Sequence, residues 1–205
     1  MKKLALLLVV ASLAMSACSS VKKIVVKDIP LEDQKAVLDK YAGRTVWTRV
    51  VLHDMGDGGN VARDEEVKIV DVSMIYKGSV TVQTLKRKNK VVQALELERP
   101  LTPEKIDAKL ADLFWFDDPT MRHVRFIREY GKKVAQAIMD HDVFKDMSAD
   151  AAMDSWGPPI SKELNELNGR LNAKWVYPTD TPKKSKYLYL EGSKEDDLRV
   201  VRWDE

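Results

Sequence analysis

The only cysteine of this chain, Cys18, lies near the N-terminus directly behind a short apolar run, so no disulfide within the chain can hold its fold together. Stability must come from core burial, and 205 residues are enough for one large or two small cored domains. Ahead of Cys18, Lys2 and Lys3 precede an almost wholly apolar stretch over residues 4–15, and Ser16-Ala17 sets small residues against the cysteine. The apolar stretch falls short of the roughly 20 residues a membrane span needs and has the flanks of a targeting segment. No later apolar run approaches spanning length.

The segment resembles a bacterial lipoprotein signal peptide with its lipobox, Met15 standing where leucine is usual. The resemblance implies cleavage of residues 1–17 and lipidation of Cys18 on its thioether and new N-terminus, so the first partner is a membrane, met through N-terminal lipid. One acyl chain gives marginal binding at ~0.8 kcal/mol per buried methylene, and two or three make a lasting tether. Ser19 in place of aspartate implies, by the Gram-negative sorting rule, an outer-membrane protein on the periplasmic face; a Gram-positive source would put it outside the cell. Loss of Lys2 and Lys3 turns 34 basic against 32 acidic residues into 32 against 32. That balance excludes a nucleic-acid partner, which calls for a concentrated basic surplus.

Residues 18–30 read as a lipidated tether, with Lys22, Lys23 and Lys27 solvated or touching anionic head groups. Residues 31–100 read as a helix over 31–41, stopped by Gly43, followed by a small antiparallel β-module. Its strands are expected at 45–52, 67–76, 80–85 and 91–97, which are rich in β-branched residues, closing into a barrel or sandwich. The loop from Asp54 to Glu65 has Gly59 and Glu65 at positions six and twelve of a calcium loop, but Gly56 and Gly58 offer no side-chain oxygen where ligands belong, so a hairpin loop is the better account. Residues 101–119 form a helical connector capped by Thr102 with Pro103 at its first position. It ends at Phe114-Trp115-Phe116, a hydrophobic joint between modules or else a partner-binding patch. A longer helix follows, its stripe Met121, Val124, Ile127, Gly131, Val134 and Ile138 sharing one face, where Gly131 would let another backbone approach closely.

After it, Met147 and Ser148 open a short helix that Trp156-Gly157-Pro158-Pro159 closes, Ser148 capping, Gly157 taking a left-handed conformation and Pro158 preventing continuation. Three strand-like runs follow at 171–177, 187–190 and 198–203. Met-Ser, then Trp-Gly-x-Pro, then Trp175-Val176-Tyr177 and Tyr187-Leu188-Tyr189-Leu190 are similar to the SmpA/OmlA (BamE-like) lipoprotein family over roughly residues 120–203. Asp146 departs from the glycine usual before the methionine. The resemblance implies a two-helix, three-strand domain over 120–205, giving an α+β chain of two modules. Met147, Ser148, Trp156, Gly157, Pro159, Trp175 and Tyr177 are fold signatures of that domain, which support its architecture better than any role.

No Gly-x-Ser-x-Gly elbow, His-Glu-x-x-His pair or phosphate-cradling glycine loop occurs, and His53, His123 and His141 are scattered. His141 has acidic neighbours in Asp140, Asp142 and Asp146, which a surface helix end explains. Nothing calls for a catalytic residue, cofactor or metal. Two small modules behind a tether fit an interaction or scaffolding subunit with an envelope protein partner, because edge strands and aromatic faces recruit partners by main-chain pairing. A lipid- or small-ligand-binding lipoprotein is the alternative, and an enzyme a more distant one. Cys18→Ser removes the thiol that accepts the lipid, so a palmitate analogue fed to cells should label the wild type alone. Equal labelling of both forms would overturn the lipoprotein reading.

Overall fold

The computed structural model describes residues 29–56, 59–179 and 184–204, so Cys18 and its flanks lie outside the described residues. The architecture is α+β, with two antiparallel sheets, each accompanied by helices. In the first unit, α1 (Leu31–Tyr41) and α2 (Pro103–Leu113) fall where the sequence puts them. Thr102 caps α2 by accepting from the Lys105 N–H, and Ile106, Leu110 and Leu113 turn inward. The helices are tied together where the Tyr41 hydroxyl donates to Asp107 at 2.6 Å.

The sheet beside them contains β1 (Thr45–Thr48), β2 (Glu66–Ser73), β3 (Ser79–Thr84), β4 (Lys90–Ala94) and β5 (Phe114–Trp115) in the order β4-β3-β2-β1-β5. Strict alternation buries Val67 and Ile69 from β2 and Val80 and Val82 from β3, the period-two signature of a one-sided sheet. This corrects the expected barrel or sandwich: the order is linear and the ends do not pair as strands. β1 pairs with β2 and β5 but ends at Thr48, short of the expected 45–52, and the chain after it crosses to the β4 edge. There the Met55 N–H donates to the Val92 carbonyl at 3.0 Å, and Asp54 accepts from the Val92 N–H at 2.7 Å. The three aromatics at 114–116 form a joint, as the sequence favours, but one built into the sheet: Trp115 opposes Trp47 and Phe114 opposes Thr48.

The second unit departs further from expectation. The long helix is two, α3 (Pro119–Tyr130), capped by Asp118, and α4 (Lys132–Asp140), broken at Gly131 with φ 81° and ψ 164°, a region essentially closed to side-chain-bearing residues. The expected stripe holds only in part: Ile127, Val134 and Ile138 pack on the second core, but Met121 and Val124 are 60% and 56% exposed, whereas Arg122 and Phe126 are buried. Gly131 is exposed with open space around it, so its role is conformational, not close approach of another backbone.

α5 (Ala149–Trp156) matches its predicted bounds, with Ser148 accepting from the Ala151 N–H and Gly157 at φ 84° and ψ −177°. The three expected strands exist as β7 (Arg170–Pro178), β8 (Ser185–Gly192) and β9 (Arg199–Asp204), but a fourth, β6 (Ser161–Leu167), precedes them and gives the order β6-β7-β8-β9. The two-helix, three-strand expectation is therefore corrected to three helices and four strands. Trp175 and Tyr177 share the face that packs on the helices, along with Ala173, Leu188 and Leu190.

Gly131 and Gly157 share one backbone conformation in different surroundings. A Cβ at Gly131 meets nothing within 4 Å, whereas one at Gly157 would stand 3.1 Å from Val50 Cγ1 in the first unit. Gly131→Ala should cost about 1–3 kcal/mol of backbone strain, and Gly157→Ala should lower the melting temperature further. Equal shifts in thermal unfolding would show that Val50 yields freely.

Candidate functional site

Arg49, the residue after β1, joins the two units. Its guanidinium lies 4.3 Å over the Trp115 ring, donates to Asp154 Oδ1 at 2.9 Å and to the Met153 carbonyl at 3.1 Å, and reaches back to the Ala111 carbonyl at 3.3 Å. Both side chains of the Arg49–Asp154 pair are largely buried, at 12% and 16% exposure. Burial raises the Asp154 carboxyl above its ordinary range, with Arg49 and a hydrogen bond donated by Tyr130 opposing. Burial likewise lowers the Arg49 guanidinium against the pull of Asp154.

A second tie is made by Asp64, held at φ 56°. His141 Nε2 donates to Asp64 Oδ2 at 2.6 Å, and the buried Arg122 approaches Oδ1 at 3.4 Å. Burial pushes the Asp64 carboxyl up, but the His141 hydrogen bond and the nearby guanidiniums outweigh it and hold the group below its ordinary value. The acidic partner of His141 thus comes from the other unit and not from Asp140, Asp142 or Asp146.

Beside these ties a cleft of about 680 Å³ opens between the units. Val50, Val51 and Arg63 contribute from the first, and Trp156, Pro158 and Tyr177 from the second. Trp156 meets Tyr177 edge-on at 5.2 Å between centroids, and its indole N–H is fixed by the His141 carbonyl at 3.0 Å. Arg63 donates to the carbonyls of Asp154 and Ser155. Burial lowers its guanidinium to about 10, with Asp64 pulling the other way. Arg63 forms no carboxylate ion pair, and its Nε and the Tyr177 hydroxyl are buried without hydrogen-bond partners, among the described residues. Burial also pushes the Tyr177 phenol well above its ordinary value, so it stays a neutral donor.

Of the signature residues, Trp156, Gly157 and Tyr177 come together around this cleft, and Pro159 follows it half-buried. Met147 and Ser148 lie elsewhere, beside β9: the Val200 N–H donates to the Met147 carbonyl at 2.9 Å, and Ser148 bridges Arg199. Trp175 is buried in the sheet under the Lys162 amine at 4.6 Å. His53 is exposed on the cleft rim, and His123 is half-buried on α3. Asp57 and Gly58 of the tested calcium loop lie outside the described residues, among which no group of three or more potential metal ligands gathers. The sequence reading missed Arg49, which it placed inside the strand expected at 45–52, and Arg63 and Asp64, which lie in the following loop with no periodic signal.

A separate feature is β6. All seven of its residues are exposed, it pairs only with β7, and Leu164 and Leu167 are 44% and 65% exposed.

Against known proteins, the chain matches no family model, no curated protein and no solved structure. Asp154→Ala strands Arg49 as a buried, unpaired cation, so equilibrium urea unfolding should register a loss of about 3–5 kcal/mol. A loss below about 1 kcal/mol, the worth of an exposed pair, would mean that the seam does not rest on this contact.

Proposed function

We propose that the protein is an outer-membrane lipoprotein, anchored through lipid on Cys18 and facing the periplasm, that acts as an interaction or scaffolding subunit for an envelope protein. The observation that supports this is an asymmetry among sheet edges. The β4 edge is covered by residues 53–55, β5 is only two residues long, and the start of the β9 edge, at Leu198 and Val200, is covered by residues 146–149 through backbone hydrogen bonds. β6 presents seven residues with no second neighbour among the described residues.

An open edge recruits an extended segment by main-chain pairing, with side chains adding selectivity. Lys162, Glu163 and Glu166 guard β6 against indiscriminate association, so a partner strand must match their charges. On the motif likeness to the SmpA/OmlA family, β7, β8 and β9 would correspond to that family's three strands, and β6 would be an addition to them. A small-ligand-binding role is the second reading, favoured by the cleft between the units.

A photo-crosslinking residue at Leu167 in cells should yield an adduct with an envelope protein, whereas one at Leu31, which is 80% exposed on α1, should not. An adduct of twice the chain mass would assign the edge to self-pairing instead, and an absence of adducts from Leu167 would overturn the reading.

A further inference from the structure

The cleft between the units has the composition of a binding site for a carboxylate carried on an apolar body. Its lining holds three cations, Arg49, Arg63 and Lys186, and no carboxylate among the described residues; Arg49 is taken up by Asp154 beside it at 2.9 Å. Arg63 touches Asp154 only through a backbone carbonyl and spends its other donation on the carbonyl of Ser155. One positive charge is therefore left with only neutral acceptors, in a place where desolvating a charge is costly without a counter-charge.

Three donors of the lining have no hydrogen-bond partner, Arg49 Nε, Arg63 Nε and the Tyr177 hydroxyl, and all three are buried. A planar guanidinium and a phenol O–H are complementary to a carboxylate's two oxygens. The apolar part of the lining is Val50, Val51, Trp156, Pro158 and Pro178, and His53, Asn60, His141 and Thr179 add polar groups. The volume of about 680 Å³ lies in the range of small-molecule sites, which join apolar walls to a few polar groups.

We propose that this cleft binds a carboxylate carried on an aliphatic or aromatic body, the carboxylate received by Arg63 and Tyr177 and the body lying against Trp156. The proposal is separate from the β6 edge and survives its failure.

The test uses the full-length protein in non-ionic detergent, titrated with octanoate and followed by Trp156 fluorescence, with Trp156→Phe defining the signal. Acetate supplies the charge without the body and octanol the body without the charge. Octanoate should bind more tightly than either, and Arg63→Gln should weaken it about tenfold, as loss of a charge-assisted hydrogen bond does. Tyr177→Phe removes only a hydroxyl that lacks a partner in the empty cleft, so it should weaken octanoate about threefold or more while leaving the melting temperature equal or higher. That opposed pair of effects keeps the test decisive if Arg63→Gln fails to fold. Equal binding of octanol and octanoate, or octanoate affinity unchanged in Tyr177→Phe, overturns the proposal.

Discussion

The arrangement of the two units depends on how a handful of arginines are kept charged away from water. Trp115 alone has Arg49, Arg122 and Arg125 within 4.3 to 5.7 Å of its ring, a crowding of like charges that would repel without compensation. Each guanidinium has its own carboxylate: Asp154 for Arg49, Asp64 for Arg122 and Asp117 for Arg125. The indole face adds attraction to cations, and more so where they are desolvated. Two of the three pairs cross from one unit to the other, so the charge balance of either unit is incomplete without its neighbour. Arg63 is the guanidinium of this group that ends without an acid, and the cleft forms where it ends.

Local structure was legible where a single residue type decides it. Thr102-Pro103 and Ser148 start helices, and Gly157 ends one, because caps and positive-φ sites are chosen by side-chain chemistry within a few residues. The β-branched alternation at 67–84 was equally plain. Gly131 was misread because a glycine within a helical stripe looks like a packing site until its dihedral angles are known. β6 was missed because its Ser-Lys-Glu-Leu-Asn-Glu-Leu sequence has neither alternation nor β-branched residues. The signal that could have found it is the turn that follows, Asn168-Gly169, both at positive φ, the dipeptide most favoured in a tight hairpin.

The seam was not legible, for a physical reason. Arg49 and Asp154, or Asp64 and His141, are linked by no sequence period, and each member read alone is an ordinary loop or helix-end charge. His141 shows the hazard: three acids crowd it along the chain, yet the one it bonds lies in the other unit. The aromatic triplet at 114–116 was recognised as a joint, but pattern could not tell that two of its members would complete a sheet and that one would become a platform for cations.

The sealing of β9 by the Met147-Ser148 segment has a consequence for stoichiometry. A sheet open at both edges can accept a strand on either side and propagate without limit, which is the geometry of fibres. A sheet open at one edge has a valence of one. Whatever strand joins β6, the far side of this sheet is already paired at Leu198 and Val200, so it offers no stretch as long as β6. Such a chain favours closed pairs or one-to-one complexes over filaments, and the two residues just ahead of α5 set that limit from the opposite side of the domain.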